Sequence, residues 1–396
     1  MVTKTIVIDN GGSSIKAGYA GQPEPRRCIP NALARGKRDK KLYVGEKITL
    51  AEYILTRPSQ RGLVLDWECQ KLIWENGLFV RPFNVLPDSE NLTVVMTVAA
   101  CTPQSVRREA LDVLLNDYRF QRAALVESIV ASQFSPSITS QFTSEDWKNP
   151  CGLLIEVGFS AMTILPVFNT QPIPHTAQRI SIGGRILNNL LRERLAYLQI
   201  DLDDNPLLIQ HIKETTCQVA EPPGLQKCLV ELKEKRSNNA DVVGYVLPDF
   251  NSSFQGFPVS SESEVPSGSQ AVKIGADRFA IPEALFNPST FGLDKIGIVE
   301  AIVRSVSLCE ECIRDCVASK IIVSGGTAMT PNFIDRLRAD LEGPLRQVAP
   351  GIDQVRFLTE PDGRLDLSAW RGASQLATNE DDLAFLGVMN REEWKH

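Results

Sequence analysis

A strand that ends in an acidic residue and leads directly into a glycine turn occurs twice in this chain of 396 residues. In the first copy, the strand Thr5–Ile8 is followed by the turn Asp9–Ser14 and by a second extended segment, Ile15–Tyr19. The second copy runs from Leu153 to Leu165 and turns at Glu156–Gly158. Each copy predicts a β-hairpin, because its second strand follows too closely to leave room for the helix of a P-loop.

The two copies are separated in sequence by about the length of one lobe, which indicates an internal repeat. The most economical interpretation is a duplicated two-lobe α/β domain with its ligand in the cleft between the lobes. A third glycine element follows the buried strand Ile321–Val323, where Gly325 and Gly326 precede a helix with Pro331 in its first turn. A strand, a glycine pair and a helix allow the main chain to approach a ligand closely.

The first hairpin has the chemistry of a phosphate site. The main-chain amides of residues 11–14 can form a concave nest for a phosphate, and Lys16 adds a positive charge. Asp9 stands at the end of the strand, where it could orient water molecules around a Mg²⁺ ion that bridges the phosphates. The alternative is a tight surface hairpin with an ordinary exposed aspartate, which the repeat makes less favourable.

Charge and hydropathy argue against two classes of function. The net charge is −6 and the isoelectric point is about 5.4, which disfavours non-specific binding of the whole surface to nucleic acid or to anionic membranes. A basic run at residues 35–41 could contact phosphates locally, although such runs are more often solvated loops. We expect no secretory leader before the first strand, and the apolar run Leu92–Cys101 is too short to span a bilayer. The sequence therefore predicts a soluble protein without membrane contact.

The chain has nine cysteines, which without a leader indicate reduced thiols in the cytosol or nucleus. Cys309, Cys312 and Cys316 follow a C-x2-C-x3-C spacing, which raises the possibility of a metal site. No fourth ligand is evident nearby. We favour the alternative, in which the three thiols share one helix face and pack as small apolar groups.

Between residues 251 and 270 the composition shifts to Ser, Pro and Gly, which predicts a flexible insertion. Phe254, Phe257 and Val259 are apolar exceptions within it. A loosely packed surface loop is slightly favoured over an anchor for a binding partner.

Nine blocks, in the same order along the chain, resemble actin and cover nearly the whole sequence. They are Asp9–Gly21, Tyr43–Glu46, Gly62–Trp67, Ile182–Arg185, Ile212–Glu214, Tyr245–Asp249, Arg278–Phe286, Val323–Pro331 and Trp370–Ala373. Each block alone is weak evidence, but nine blocks in the same order make the resemblance to actin specific. The resemblance also argues against a metal at the three cysteines, because actin has no metal site there.

The resemblance implies the actin fold, a duplicated two-lobe α/β ATPase fold with ribonuclease H-like sheets flanked by helices. Four subdomains would then surround a nucleotide cleft. The implied boundaries are 1–30, 63–149 and 365–396 for subdomain 1, 31–62 for a shortened subdomain 2, 150–182 and 292–364 for subdomain 3, and 183–291 for subdomain 4 with its insertion 251–270.

The resemblance further implies a site for ATP or ADP with Mg²⁺, although this lineage could have lost both. The phosphates would be held by Gly11, Gly12, Ser13, Ser14, Lys16 and Gly158. Mg²⁺ would be held through water by Asp9 and Glu156. The adenosine would be surrounded by Gly184, Lys213, Glu214, Gly325, Gly326 and Met329.

The second hairpin departs from actin, which has an aspartate and a serine in place of Glu156 and Val157. Ser128 and Thr163 fall where actin has the glutamine that positions the attacking water and a companion histidine. Positioning that water is a large part of phosphoryl transfer, so their loss predicts hydrolysis slower by about 10² to 10⁴. Glu127 or Glu156 could substitute. We assign no catalytic residue and expect a non-catalytic nucleotide-binding protein with slow hydrolysis at most.

Filament formation is not expected from the sequence. The segment 30–43 is shorter than the actin segment that carries the DNase-binding loop. The chain also ends soon after Asn390–Trp394, so the C-terminal tail of actin would be missing. Both segments make longitudinal contacts in actin filaments.

Among the actin-related proteins, the chain resembles the actin-related protein 6 family in Tyr245–Phe250, in Asp277–Glu283 and in Leu285–Pro288. The resemblance implies a scaffold subunit of a nuclear, Swr-type remodelling complex, which exchanges a variant histone into nucleosomes. The implied partners are the Swr-type remodeller ATPase, a zinc-HIT-finger subunit and, through the complex, the nucleosome and its DNA. The alternatives are an active actin-like ATPase or small-molecule kinase, and a cytoplasmic filament or capping protein.

Overall fold

The computed structural model describes residues 4–37, 39–50, 53–81, 83–200, 202, 205–222, 224–226, 230, 244–248, 256–260 and 264–394. Its strands, β1 to β20 in chain order, are Thr5–Asn10, Ser14–Tyr19, Arg27–Pro30, Leu33–Gly36, Leu42–Val44, Tyr53–Thr56, Ser59–Gln60, Leu63–Val64, Thr93–Val98, Arg122–Glu127, Gly152–Val157, Met162–Phe168, Gln171–Pro172, Gln178–Ile180, Gly244–Val246, Phe257–Val259, Ala271–Lys273, Lys320–Ser324, Arg356–Leu358 and Met389–Asn390.

The α-helices, α1 to α14 in chain order, are Trp67–Ile73, Gln104–Asp112, Ser128–Ser132, Pro136–Thr139, Ser144–Lys148, Gly184–Tyr197, Pro206–Thr216, Asp277–Glu283, Ile298–Ser307, Glu311–Ser319, Phe333–Val348, Ser368–Leu376, Glu380–Phe385 and Arg391–Trp394. Short 3₁₀ turns are Gly45–Lys47, Leu86–Asn91, Pro174–Thr176, Pro288–Phe291 and Gly326–Met329, and π-turns are Trp74–Leu78 and Val113–Asp117. Within the described ranges, no helix combines the length and apolar character needed to cross a membrane.

Two large sheets repeat one plan. In the first, β1 pairs antiparallel with β2 and parallel with β9, and the strand order is β20-β10-β9-β1-β2-β3. In the second, β11 pairs antiparallel with β12 and parallel with β18, and the order is β13-β12-β11-β18-β19, with β14 also on β12. Each hairpin is central in its sheet because its strands are apolar, as at Ile6 and Ile155, both fully buried. The prediction of a duplicated two-lobe α/β fold is confirmed.

Helix α12 packs directly on the first sheet. Trp370 is fully buried, and its Nε1 donates to the carbonyl oxygen of Val7 at 3.2 Å. A Cβ atom at Gly372 would lie 1.8 Å from the carbonyl oxygen of Ala131, so α12 approaches α3 as only a glycine allows. This contact fixes α3, which begins at Ser128.

Two smaller sheets of three strands lie outside the central ones, in the orders β5-β4-β6 and β16-β15-β17. The sequence predicts a flexible insertion over 251–270, whereas Phe257–Val259 form β16. The reason is burial, since Val259 is 5% exposed and pairs with Gly244 of β15. Residues 251–255 and 261–263 lie outside the described residues, as does Arg38 of the basic run. The subdomain boundaries stay predictions.

The three clustered cysteines do not share one helix face, so that prediction is wrong. Cys312 and Cys316 lie on α10, whereas Cys309 lies in the link between α9 and α10. Cys309 is buried, Cys312 is exposed and Cys316 is half-buried. Across the described part of the chain, no group of three His, Cys, Asp or Glu residues is arranged to hold a metal ion.

Candidate functional site

The acidic residue that ends β1 is paired with the lysine of β2. The register places Asp9 opposite Lys16, and Lys16 Nζ donates to Asp9 Oδ2 at 3.2 Å. The hydroxyl of Thr97, near the end of β9, donates to Asp9 Oδ1 at 2.6 Å. Burial alone would lower the pKa of Lys16, but the negative charges of Asp9 and Asp366 outweigh it and raise that pKa. The lysine is therefore charged at neutral pH.

Three successive carbonyl groups of the first turn are held from one side. Asn31 Nδ2 donates to the carbonyl oxygen of Gly11 at 2.9 Å. Arg57 Nη1 donates to the carbonyl oxygens of Gly12 at 3.2 Å and Ser13 at 3.1 Å. A carbonyl and the amide of the following residue point in opposite directions in a trans peptide. The three amides that follow these carbonyls therefore point to the opposite side, which is the geometry of an anion nest.

A chain of amide side chains supports this turn from behind. Gln70 Nε2 donates to Asn31 Oδ1 at 3.1 Å, and Asn10 Nδ2 donates to Gln70 Oε1 at 3.0 Å. Trp74 Nε1 donates in turn to Asn10 Oδ1 at 3.2 Å. Asn31 and Gln70 are both fully buried. The first turn therefore rests on a rigid frame rather than on a mobile surface loop.

The second turn contains a carboxyl group with an altered pKa. Glu156 of β11 lies opposite Thr163 of β12, and its carboxylate accepts a hydrogen bond from Ser128. Burial raises the pKa of Glu156 to about 7, and the charge of Asp9 adds to this effect, although the hydrogen bond from Ser128 opposes it. The carboxyl group is therefore about half protonated near neutral pH.

The third glycine element fixes the second turn. Gly325 has a φ of +98°, and a Cβ atom there would lie 2.4 Å from the carbonyl oxygen of Val157. Thr327 Oγ1 donates to the carbonyl oxygen of Gly158 at 2.9 Å. The long helix of this element begins at Phe333, after a 3₁₀ turn, so it starts later than the sequence predicts. Gly325 is required here both for its φ and for the close approach of the two main chains.

Helices α6 and α7 form a further wall of the site, next to the two turns. Lys213 Nζ donates to the carbonyl oxygen of Gly184 at 3.4 Å, and burial lowers the pKa of Lys213, although Glu214 opposes this. Gln210, also on α7, donates to Glu214 Oε1 at 2.9 Å and to Ser13 Oγ at 3.3 Å. Through this second bond, α7 of the second lobe contacts the turn of the first.

These elements surround one cleft of about 580 Å³, within the range of small-molecule sites. The structure brings all the predicted site residues to this cleft except Gly184, which contacts Lys213. The predicted residues that line it are Asp9, Gly11, Gly12, Ser13, Ser14, Lys16, Glu156, Gly158, Lys213, Glu214, Gly325, Gly326 and Met329. The individual roles assigned to them stay predictions.

The cleft also contains polar residues that the sequence did not single out. Thr97 had a usable signal, because the carboxyl ends of neighbouring parallel strands meet at one edge of a sheet. Gln210 precedes Glu214 by one helical turn and therefore shares its helix face. Asp366 belongs to no motif that can be recognised in the sequence. Its Oδ1 accepts a hydrogen bond from Arg364 Nε at 2.9 Å.

The groups in the cleft fit a phosphate chain with Mg²⁺. The amide nest and Lys16 offer positive charge. Each oxygen of Asp9 accepts one hydrogen bond, which leaves acceptor positions free for the water shell of a cation. A Cβ atom at Gly12 would lie 2.7 Å from Ser160 Oγ, so a side chain there would fill the gap between the two turns. Glycine keeps that gap available to a ligand.

Comparison with known proteins agrees with this architecture. The family model described as Actin matches residues 2–207 and 204–395. The chain is 30% identical to an Aspergillus fumigatus protein named actin-like protein arp6, over 98% of this chain and 92% of that one. It is 28% identical to actin-related protein 6 of Arabidopsis thaliana, over 96% of this chain and 94% of that one. It is 29% identical to actin-related protein 6 of Drosophila melanogaster, over 98% of this chain and 96% of that one.

The actin fold generally binds a nucleotide together with a divalent metal ion. The family match extends over nearly the whole chain, and the relatives from a fungus, a plant and an insect match it at nearly full length. The chain therefore belongs to the actin family, in which it is similar to the proteins named actin-related protein 6.

Proposed function

We propose that this actin-related protein holds ATP or ADP with Mg²⁺ as a structural ligand and serves as a scaffold subunit of a nuclear remodelling complex. The observation that carries the nucleotide part is the amide nest of the first turn beside the buried pair of Lys16 and Asp9. A nucleotide in the cleft binds both lobes and therefore stabilises the native state by mass action.

Each group of residues has a defined task in this proposal. The amides of residues 12–14 and Lys16 bind the β- and γ-phosphates. Asp9 and Glu156 orient the water shell of Mg²⁺, which neutralises charge on the phosphates when it is bound. Lys213 and Glu214 on α7, with Gly325 and its neighbours, surround the adenosine.

The side chains near the predicted position of the γ-phosphate support slow hydrolysis. Ser128 donates its hydroxyl proton to Glu156, and Thr163 is only 4% exposed. Neither side chain resembles the acid or amide that normally orients an attacking water. The protein therefore retains nucleotide without efficient turnover.

An active ATPase is the second candidate, and one observation favours it. The pKa of Glu156 is about 7, which suits a general base at neutral pH. Single-turnover hydrolysis by the parent and by Glu156→Gln separates the two candidates. A fast parent rate that Gln abolishes would establish the ATPase. A slow rate that is equal in both supports the scaffold.

Binding of nucleotide is tested by thermal unfolding with and without ATP and Mg²⁺. Lys16→Ala removes the charge beside the nest, so we expect its ATP-dependent rise in Tm to be lost, each protein being compared with its own nucleotide-free Tm. Lys4→Ala is the matched control, because Lys4 is exposed and stacks on Tyr19 outside the cleft. Equal ATP-dependent shifts in Lys16→Ala and the parent would show that the cleft is not the site.

The nuclear role rests on the similarity to actin-related protein 6. We propose that the partners are a Swr-type remodeller ATPase and a zinc-HIT-finger subunit, with nucleosomal DNA contacted through the complex. Filaments are not part of this proposal. Proteins recovered with the tagged chain from nuclear extract provide the test. Recovery of neither a remodeller ATPase nor a zinc-HIT subunit would overturn the assignment.

A further inference from the structure

Arg57 reaches the first turn from the segment between β6 and β7. Its Nη1 atom donates to three main-chain carbonyl oxygens: Gly12 at 3.2 Å, Ser13 at 3.1 Å and Asn31 at 3.2 Å. Two of these carbonyl groups, those of Gly12 and Ser13, belong to the same peptide units as two amides of the nest, so the bonds from Arg57 also orient those amides. Arg57 therefore acts on the orientation of the nest without belonging to it.

The same guanidinium also contacts the second turn. Its carbon atom lies 4.7 Å from the centroid of the Phe159 ring, within the range of a cation–π interaction. Phe159 belongs to the turn between β11 and β12, in the other lobe. One side chain therefore joins the two glycine turns.

The charge of this arginine is not neutralised by the groups that it holds. All three acceptors are carbonyl oxygens, and the neighbouring Arg185 adds a like charge. Burial, with the smaller effect of Arg185, lowers the pKa of Arg57 to about 10. The guanidinium therefore remains charged at neutral pH, which favours its contact with the face of the Phe159 ring.

We infer that Arg57 and Phe159 form a clasp between the two turns, which positions the first turn for phosphates and slows the release of a bound nucleotide. This inference rests on the proposed function, since it deepens the role of the same cleft. Arg57 is a positioning residue that acts through the main chain of Gly12 and Ser13. Phe159 supplies the opposing surface.

If the clasp positions the nest, loss of the clasp should weaken the binding of a nucleotide only when that nucleotide carries β- and γ-phosphates. Arg57→Ala releases the carbonyl group of Gly12 and leaves that of Ser13 with only the bond from the main-chain amide of Asn31, at 2.8 Å. Ligands whose phosphates reach the nest should therefore lose the most affinity. AMP lacks the β- and γ-phosphates and should be affected little. A general loss of stability would instead weaken the binding of ATP and AMP alike.

The test uses the full chain with a ribose-labelled fluorescent ATP analogue, chased with unlabelled ATP, and AMP as a competitor. For Arg57→Ala and Phe159→Ala we expect about tenfold faster release of the analogue, with less than about threefold change in AMP affinity. Arg26→Ala is the matched control, because Arg26 stacks on Tyr19 at 4.9 Å outside the cleft. Unchanged release in both cleft variants, or equal losses for ATP and AMP, would overturn the clasp.

A second measurement separates this inference from the proposed function. In nucleotide-free protein, amide hydrogen exchange should rise in both turns, residues 11–14 and 158–161, when Phe159 is replaced by Ala. If the parent fails to bind ATP, the proposed function is wrong, and the clasp is judged by exchange alone. A rise in both turns then supports the clasp, and unchanged exchange in either turn overturns it.

Discussion

The carboxyl group of Glu156 offers a quantitative test of the cleft. Burial raises its pKa from the ordinary 4.5 to about 7 in the folded protein. A raised pKa means that the folded state binds the proton more tightly than the unfolded state. The group therefore costs nothing below pH 4.5 and destabilises the fold increasingly as the pH rises through 7.

The magnitude follows from the difference between the two pKa values. The step from 4.5 to about 7, at about 1.4 kcal/mol for each pH unit, gives about 3 kcal/mol at pH 8. Glu156→Gln removes this cost, because the neutral amide keeps the shape and can still accept the hydrogen bond from Ser128. With an unfolding entropy of about 2.1 cal/mol/K for each of 396 residues, the substitution should raise Tm by about 4 °C.

The assay is thermal unfolding without nucleotide, in EDTA, at pH 5 and at pH 8. We expect Glu156→Gln to match the parent within about 1 °C at pH 5 and to exceed it by about 4 °C at pH 8. Glu127→Gln is the matched control, because Glu127 ends β10 of the first sheet and pairs with Arg107 at 3.3 Å. That variant should gain nothing at pH 8. The same shift at both pH values for Glu156→Gln would refute a raised pKa in the cleft.

Two further substitutions test contacts made by the second sheet. Gly325→Ala places a Cβ atom 2.4 Å from the carbonyl oxygen of Val157 at a φ of +98°. It should lower the free energy of unfolding, measured in urea, by about 3 kcal/mol. Gly326→Ala is the control and should be nearly neutral, because its Cβ atom would have no neighbour nearer than 3.6 Å. Equal losses in both variants would show that the φ of Gly325 and its close approach to Val157 do not matter for stability. Burial alone would raise the pKa of Asp146, but hydrogen bonds from Thr143 and Arg356 and the charge of Lys320 outweigh it and lower that pKa to about 2. Asp146→Asn should therefore cost about 2 kcal/mol at pH 7 and progressively less as the pH falls from 4 to 2, with a pH-independent loss as the contrary result.

The two hairpins were predictable because their signals are local. A glycine run between two apolar segments specifies a turn, and the antiparallel register then sets Asp9 opposite Lys16. The repeat at Glu156 specified the second lobe in the same way. These short-range rules, together with the resemblance to actin, were enough to place nearly all the predicted residues around one cleft.

The rest depends on contacts between distant segments. The bond from Ser128 to Glu156 requires α3 to be held in place by α12, and no local pattern reveals that packing. Arg57 and Phe159 are 102 positions apart in sequence, and they meet only because the lobes face each other. The strand Phe257–Val259 was missed because its composition resembles a loop, and pairing with β15 overrides that preference.

The proposed function requires that the bound nucleotide is held rather than consumed. Protein in excess over radiolabelled ATP with Mg²⁺, quenched over hours, measures the hydrolysis of a single bound nucleotide. We predict that ATP binds in a Lys16-dependent manner and stays largely intact, with hydrolysis about 10² to 10⁴ slower than that of actin assayed alongside. Hydrolysis of the bound ATP at the rate of actin or faster would show that the nucleotide is consumed and not held as a structural ligand.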